Sequence, residues 1–92
     1  MRRNYQDPVY AHWRKSVYKR DSHKCQMPGC SYRGKKLNAH HIKKWSEAAY
    51  LRYDLDNGIT LCYDCHKQVT GSEGQYEALF MQIVRENGSR NS

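Results

Sequence analysis

Two close cysteine pairs, Cys25 with Cys30 and Cys62 with Cys65, are spaced as metal ligands. Zinc takes four ligands in a tetrahedron, and four thiolates complete it. Each pair supplies two sulfurs from one tight turn, so two turns close a site. No position is left open for chemistry, so the expected zinc is structural. Two other chemistries compete for the second pair. Cys62-Tyr63-Asp64-Cys65-His66 also matches the C-x-x-C-H pattern of haem attachment, but that leaves Cys25 and Cys30 unexplained. A redox C-x-x-C needs a thioredoxin-like strand–helix–strand setting, and no such pattern surrounds it.

Five histidines accompany the cysteines: His12, His23, His40, His41 and His66. A neutral imidazole titrates near pH ~6.5, which suits it both to proton transfer and to metal ligation. His12 reads as solvated. His23 lies two residues before Cys25 and reads as an incidental neighbour, with an alternative zinc ligand as the other reading. His40 and His41 are adjacent at the end of a short strand, beside Lys43-Lys44. Strand alternation points them to opposite faces, one toward a metal and the other open to substrate. If zinc joins the two cysteine pairs, His66 comes close to them, one residue past Cys65.

The elements that must position these groups are legible. Asp7-Pro8 reads as a cap and first residue of a helix over Pro8–Arg20, with Val9, Trp13 and Val17 as its apolar stripe. Residues 25–30 form a loop with Pro28-Gly29 at its turn. Leu37–Ile42 and Ile59–Cys62 read as two short strands. Between them, residues 43–58 form a connection with a helical turn near Ser46–Leu51. A short helix follows over Asp64–Val69, closed by Gly71. Ser72-Glu73-Gly74-Gln75 fits a capping box for a last helix. In that helix Tyr76, Leu79, Phe80, Ile83 and Val84 make one apolar stripe. Asn87-Gly88 should end it, leaving 89–92 frayed.

Composition sets the outer limits. Ninety-two residues with 38% hydrophobic content make one small domain, whose thin core needs a metal, a disulfide or a partner. The formal charge of +7, from 16 Lys and Arg against 9 Asp and Glu, points to a polyanion, most simply nucleic acid. No apolar run approaches the length of a membrane span, so no membrane partner is expected. The first residues lack the apolar segment of a signal peptide, so the expected location is cytoplasmic, where thiols stay reduced.

Ala39-His40-His41-Ile42, then Asp56-Asn57-Gly58-Ile59-Thr60-Leu61-Cys62, then Cys65-His66-Lys67, resembles the HNH nuclease motif in order and spacing. The resemblance covers about residues 25–70. It implies a small α+β zinc-bound domain with a ββα-metal, treble-clef-like core. Residues 1–92 would form one HNH domain, with helices about 8–20 and 73–87 flanking the motif. It implies His41 as general base, Asn57 as the central Asn, and His66 as the last His. His40 stands where the family carries a metal ligand, often Asp. A catalytic divalent metal would then be held by His40 and His66 with Asn57. Imidazole ligands shift the preference from Mg2+ toward Mn2+, Ni2+ or Zn2+. In some members the Asn ligates metal and in others it braces the loop that holds the base. The implied reaction is hydrolysis of phosphodiester bonds in double-stranded DNA, with Lys35, Lys36, Lys43, Lys44, Arg52 and Lys67 on the phosphates. One domain offers one active site, so a monomer should nick one strand, while a double-strand break needs two copies or two events; the expected state is a monomer or weak dimer. Small proteins of this kind are common in phages, near packaging genes, so terminase proteins are implied partners. A zinc-stabilised module that binds nucleic acid without cutting it shares the charge and the cysteines. It has no use for His41, Asn57 and His66 together.

Overall fold

The computed structural model describes residues 8–30, 32–34, 36–43 and 52–90. Helix α1 spans Pro8–Arg20. Pro8 opens it with a preset φ and no amide to satisfy; the expected cap, Asp7, lies outside the described residues. Its buried face is Tyr10, Trp13, Val17 and Arg20. The apolar stripe is therefore not the expected one at its start, because Val9 is 54% exposed. Tyr10 takes the inner position, stacking on Trp13 with ring centres 5.8 Å apart. The helix closes through Ser22 and His23, both in the left-handed region, where the His23 amide donates to the Tyr18 carbonyl at 2.8 Å.

Strands β1 (Leu37–His41) and β2 (Gly58–Cys62) form an antiparallel hairpin, with Leu37 opposite Cys62 and His41 opposite Gly58. The ladder stops one residue before the expected Ile42, whose amide turns to the Asn57 carbonyl at 2.9 Å. A single 3-10 turn at Leu55–Asn57 leads into β2; the helical turn expected over Ser46–Leu51 lies outside the described residues. Helix α2 (Tyr63–Val69) leaves β2 without a loop, and the Cys62 sulfur caps it by accepting from the Cys65 amide at 3.5 Å. Helix α3 runs Glu73–Arg90. It continues through Asn87-Gly88, where the sequence signalled a stop, so residues 89 and 90 are helical rather than frayed. The reason is tertiary. Buried Asn87 donates to Asp21 Oδ1 and to Gln26 Oε1, both at 2.9 Å, which pins the end of α3 to the domain. The helix start also departs from the capping box: Glu73, not Gln75, reaches back, accepting from the Gly71 amide at 3.1 Å.

The hairpin lies between helices. Every residue of β2 is buried. On one side Ile59 and Leu61 pack with Val69, Phe80, Val84 and the cysteines. On the other, Ala39 packs with Tyr10, Trp13 and Val17 of α1. Each fully buried aliphatic or Phe side chain contributes about 1.5–3 kcal/mol. A buried ion pair locks the two sides. The Asp21 carboxylate accepts from Arg20 Nε and Nη2 at 2.8 Å, from the Thr60 amide at 2.9 Å and from Asn87 at 2.9 Å. Arg20 also donates to the Leu55 and Gly58 carbonyls, at 2.7 and 2.6 Å. One carboxylate thus joins α1, β2 and α3. Among the described residues no helix is long and apolar enough to cross a membrane.

Candidate active site and metal centre

The four cysteines converge as their spacing requires. The Cys25–Cys30 turn hangs on β2, where the Gln26 amide donates to the Thr60 carbonyl at 2.9 Å. Cys62 ends β2 and Cys65 lies in the first turn of α2. All four Sγ atoms fall within 4.8 Å of one another, and Cys30 and Cys62 are 3.9 Å apart. A tetrahedral zinc with bonds of about 2.3 Å sets its sulfurs about 3.8 Å apart, so the set fits that ion. All four are free of disulfides. Burial pushes the Cys25 thiol up. Burial, and then the neighbouring sulfurs, raise Cys65 well above the thiol range. At Cys62 burial also opposes ionisation. Hydrogen bonds from the Cys65 amide and from the adjacent thiols outweigh it and hold this thiol below its ordinary value. Cys62 is thus more readily ionised than Cys25 or Cys65, and four thiolates together need a cation. His23 is exposed and stands outside this cluster.

The histidine pair obeys strand alternation. His40 faces α2 and α3, its ring edge-on to His66 with centres 5.6 Å apart, and to Phe80 at 5.8 Å. Ligation of one ion by two imidazoles, with bonds of about 2.1 Å, brings ring centres to about 5 Å. The His40–His66 pair is thus near the separation that a shared ion requires. Among the described residues the pair offers two imidazole rings to such an ion. His41 faces α1 instead. Its ring stacks on Trp13 at 4.2 Å with the planes 12° apart, and Tyr10 lies beyond at 6.4 Å. The expectation that one of the two would be open to substrate is not met: His40 is 6% and His41 4% exposed. The aromatic face of α1 covers the second histidine. His41 Nε2 lies 2.9 Å from the Arg52 carbonyl. A carbonyl only accepts, so the proton belongs on Nε2 and the lone pair on Nδ1.

Asn57 is buried, and its amide is turned on the chain just after His41. Oδ1 accepts from the Lys43 amide at 2.8 Å, and Nδ2 donates to the Lys43 carbonyl at 3.2 Å. With the Ile42 amide on the Asn57 carbonyl, this residue ties the end of β1 to the start of β2. These contacts engage the side chain in bracing the chain after His41.

The basic residues divide. Lys36 and Lys67 are exposed, with Lys67 Nζ 5.8 Å from the Tyr63 ring centre. Lys43 is half-buried and pairs with Glu77 at 3.1 Å, so it is not a free cation. Arg52 is half-buried and presents its carbonyl to His41. Lys35 and Lys44 lie outside the described residues. Trp13, stacked on His41, is the neighbour of the motif that the sequence did not single out. Its position on an apolar helical stripe marks it as core, and nothing local in the sequence ties it to His41.

Residues 25–72 match the HNH endonuclease family, just over half of the chain. Comparison with curated proteins and with solved structures gave no match. The matched span holds both cysteine pairs, the hairpin with His40 and His41, Asn57 and His66. The fold is correspondingly a small α+β domain with a ββα core, consistent with a zinc-bound HNH centre. Nucleic acid is the substrate class that this implies, and the chain belongs to the HNH endonuclease family.

Proposed function

We propose that the chain is a divalent-metal-dependent DNA endonuclease that hydrolyses one phosphodiester bond per site and so nicks duplex DNA. The observation that carries this reading is the His40–His66 pair, whose ring centres lie 5.6 Å apart where β1 packs against α2. His40 and His66 would hold the catalytic ion, Mn2+, Ni2+ or Zn2+ in preference to Mg2+. When bound, such an ion supplies neutralisation of the scissile phosphate and of the departing oxygen. His41, next along the strand, takes the proton of the attacking water on Nδ1. The Arg52 carbonyl fixes the tautomer that places the lone pair on Nδ1. Asn57 holds the backbone that carries His41. Lys36 and Lys67 meet phosphates, and Lys35, Lys44 and Arg52 extend that contact. The whole chain acts as one catalytic domain, as a monomer or weak dimer in the cytoplasm. A phage setting, with terminase proteins as partners, belongs to the same proposal.

A second reading has one observation in its favour. At 4% exposure, stacked on Trp13, His41 is packed as core. That suits a zinc-stabilised module that binds DNA without cutting it. Supercoiled plasmid, incubated with Mn2+, Mg2+ or EDTA, separates the two. The nuclease converts plasmid to open circle with metal and not with EDTA. A folded, zinc-loaded protein that shifts DNA and leaves plasmid supercoiled in both metals is the binding module.

A further inference from the structure

We propose that Trp13 is a positioning residue for the reaction, so that α1, outside the matched span, is part of the catalytic apparatus. The proposal rests on the reading of His41 as base. One indole meets three parts of the site. Its face lies on the His41 ring at 4.2 Å and 12°. Its Nε1 donates to the Asp54 carbonyl at 2.9 Å, and Asp54 caps the 3-10 turn that ends in Asn57. Its edge closes on Gly58, where an added Cβ would stand 2.6 Å from Trp13 Cζ2 and 2.6 Å from Val17 Cγ2.

Gly58 has φ −123°, which any residue adopts, so its backbone does not require glycine. The close approach of the indole does. Gly58 pairs with His41 across the hairpin, and Asn57 braces the chain beyond His41. Trp13 therefore wedges the base and its brace into one arrangement. A flat ring on one face and the Arg52 carbonyl at Nε2 leave the imidazole little freedom to turn. Loss of the wedge lets the ring change rotamer, and small misplacements of a reacting group cost about 100-fold in rate.

Two levers test this. Trp13→Ala removes the wedge, and Gly58→Ala pushes it aside while the indole is kept. Both are expected to lower kcat about 100-fold on plasmid while KM and zinc content stay near wild type. Trp13→Phe keeps an aromatic face and is expected to recover most of the rate. In parallel, NMR of the His41 ring protons reads the stack without any cleavage. The indole ring current shifts them upfield in the wild type, and they move downfield in Trp13→Ala and in Gly58→Ala. Wild-type kcat in a folded Trp13→Ala or Gly58→Ala protein, or His41 shifts that do not move, overturns the proposal. If Trp13→Ala fails to fold, Gly58→Ala and Trp13→Phe decide it. A wild-type protein that cuts no plasmid overturns the nuclease reading and the catalytic half of this one, while the His41 shifts still report the clamp.

Discussion

At the scale of single residues, adjacent histidines acquire different surroundings because a strand turns successive side chains to opposite faces. His40 joins His66 under α2 and α3, and His41 joins Trp13 under α1. Asn57 is the residue on which this depends, since both ends of its amide hold Lys43. Asn57→Ala leaves the part-buried Lys43 backbone groups without those partners, which costs about 1–3 kcal/mol. Urea unfolding measures it. Asn57→Asp keeps an acceptor for the Lys43 amide but sets a buried carboxylate oxygen against the Lys43 carbonyl, so its midpoint should fall at least as far as that of Asn57→Ala. Equal midpoints for wild type and Asn57→Ala would contradict the bracing role. The cysteines and histidines were legible in the sequence because ligand spacing is local. Trp13 was not, since a stacked core tryptophan and a tryptophan against a reactive imidazole carry the same helical signature.

At the scale of elements, most starts of helices and strands followed local chemistry, the capping of α3 apart, and some of their ends did not. Pro8 opens α1, and β2 runs straight into α2 as the β-branched run and the cysteine pair indicate. The end of α3 was misread because Asn87-Gly88 is a stop signal only in isolation. Here Asn87 is held by Asp21 and Gln26, partners far away in sequence. The same Asp21 is the centre of the network that joins α1, β2 and α3, with its side chain fully buried beside Arg20. Asp21→Ala strands a buried guanidinium and frees the Thr60 amide and Asn87. It should destabilise the fold by about 3–5 kcal/mol, the usual cost of removing one partner from a buried pair. A shift in thermal midpoint of only a degree or two would show that the network matters little. Its existence was hidden in the sequence, because neighbouring Arg and Asp at a helix end ordinarily face water.

At the scale of the whole molecule, two small apolar clusters on either side of a two-stranded hairpin make a slight core. The four-cysteine site ties the loop at residues 25–30 to the β2–α2 junction, which carries His66. Structural zinc should therefore hold the fold and the catalytic frame together. Zinc analysis should find one ion per chain, and a strong chelator should abolish the cooperative melt seen by circular dichroism. Cys62→Ser should behave like the chelated protein. An unchanged melt in protein shown to be free of zinc would remove the scaffold role. The charge of +7 fits a duplex partner at this scale as well, and the exposed Lys36 and Lys67 lie on the same hairpin–helix unit as His66.

The most direct test of catalysis by this site is plasmid nicking by His41→Ala beside the wild type. The two proteins must be matched for zinc content, melting temperature and DNA affinity. Wild type should yield open circles only with divalent metal, and His41→Ala should yield none at the same concentration. A folded His41→Ala protein that nicks at the wild-type rate would contradict His41 as the base.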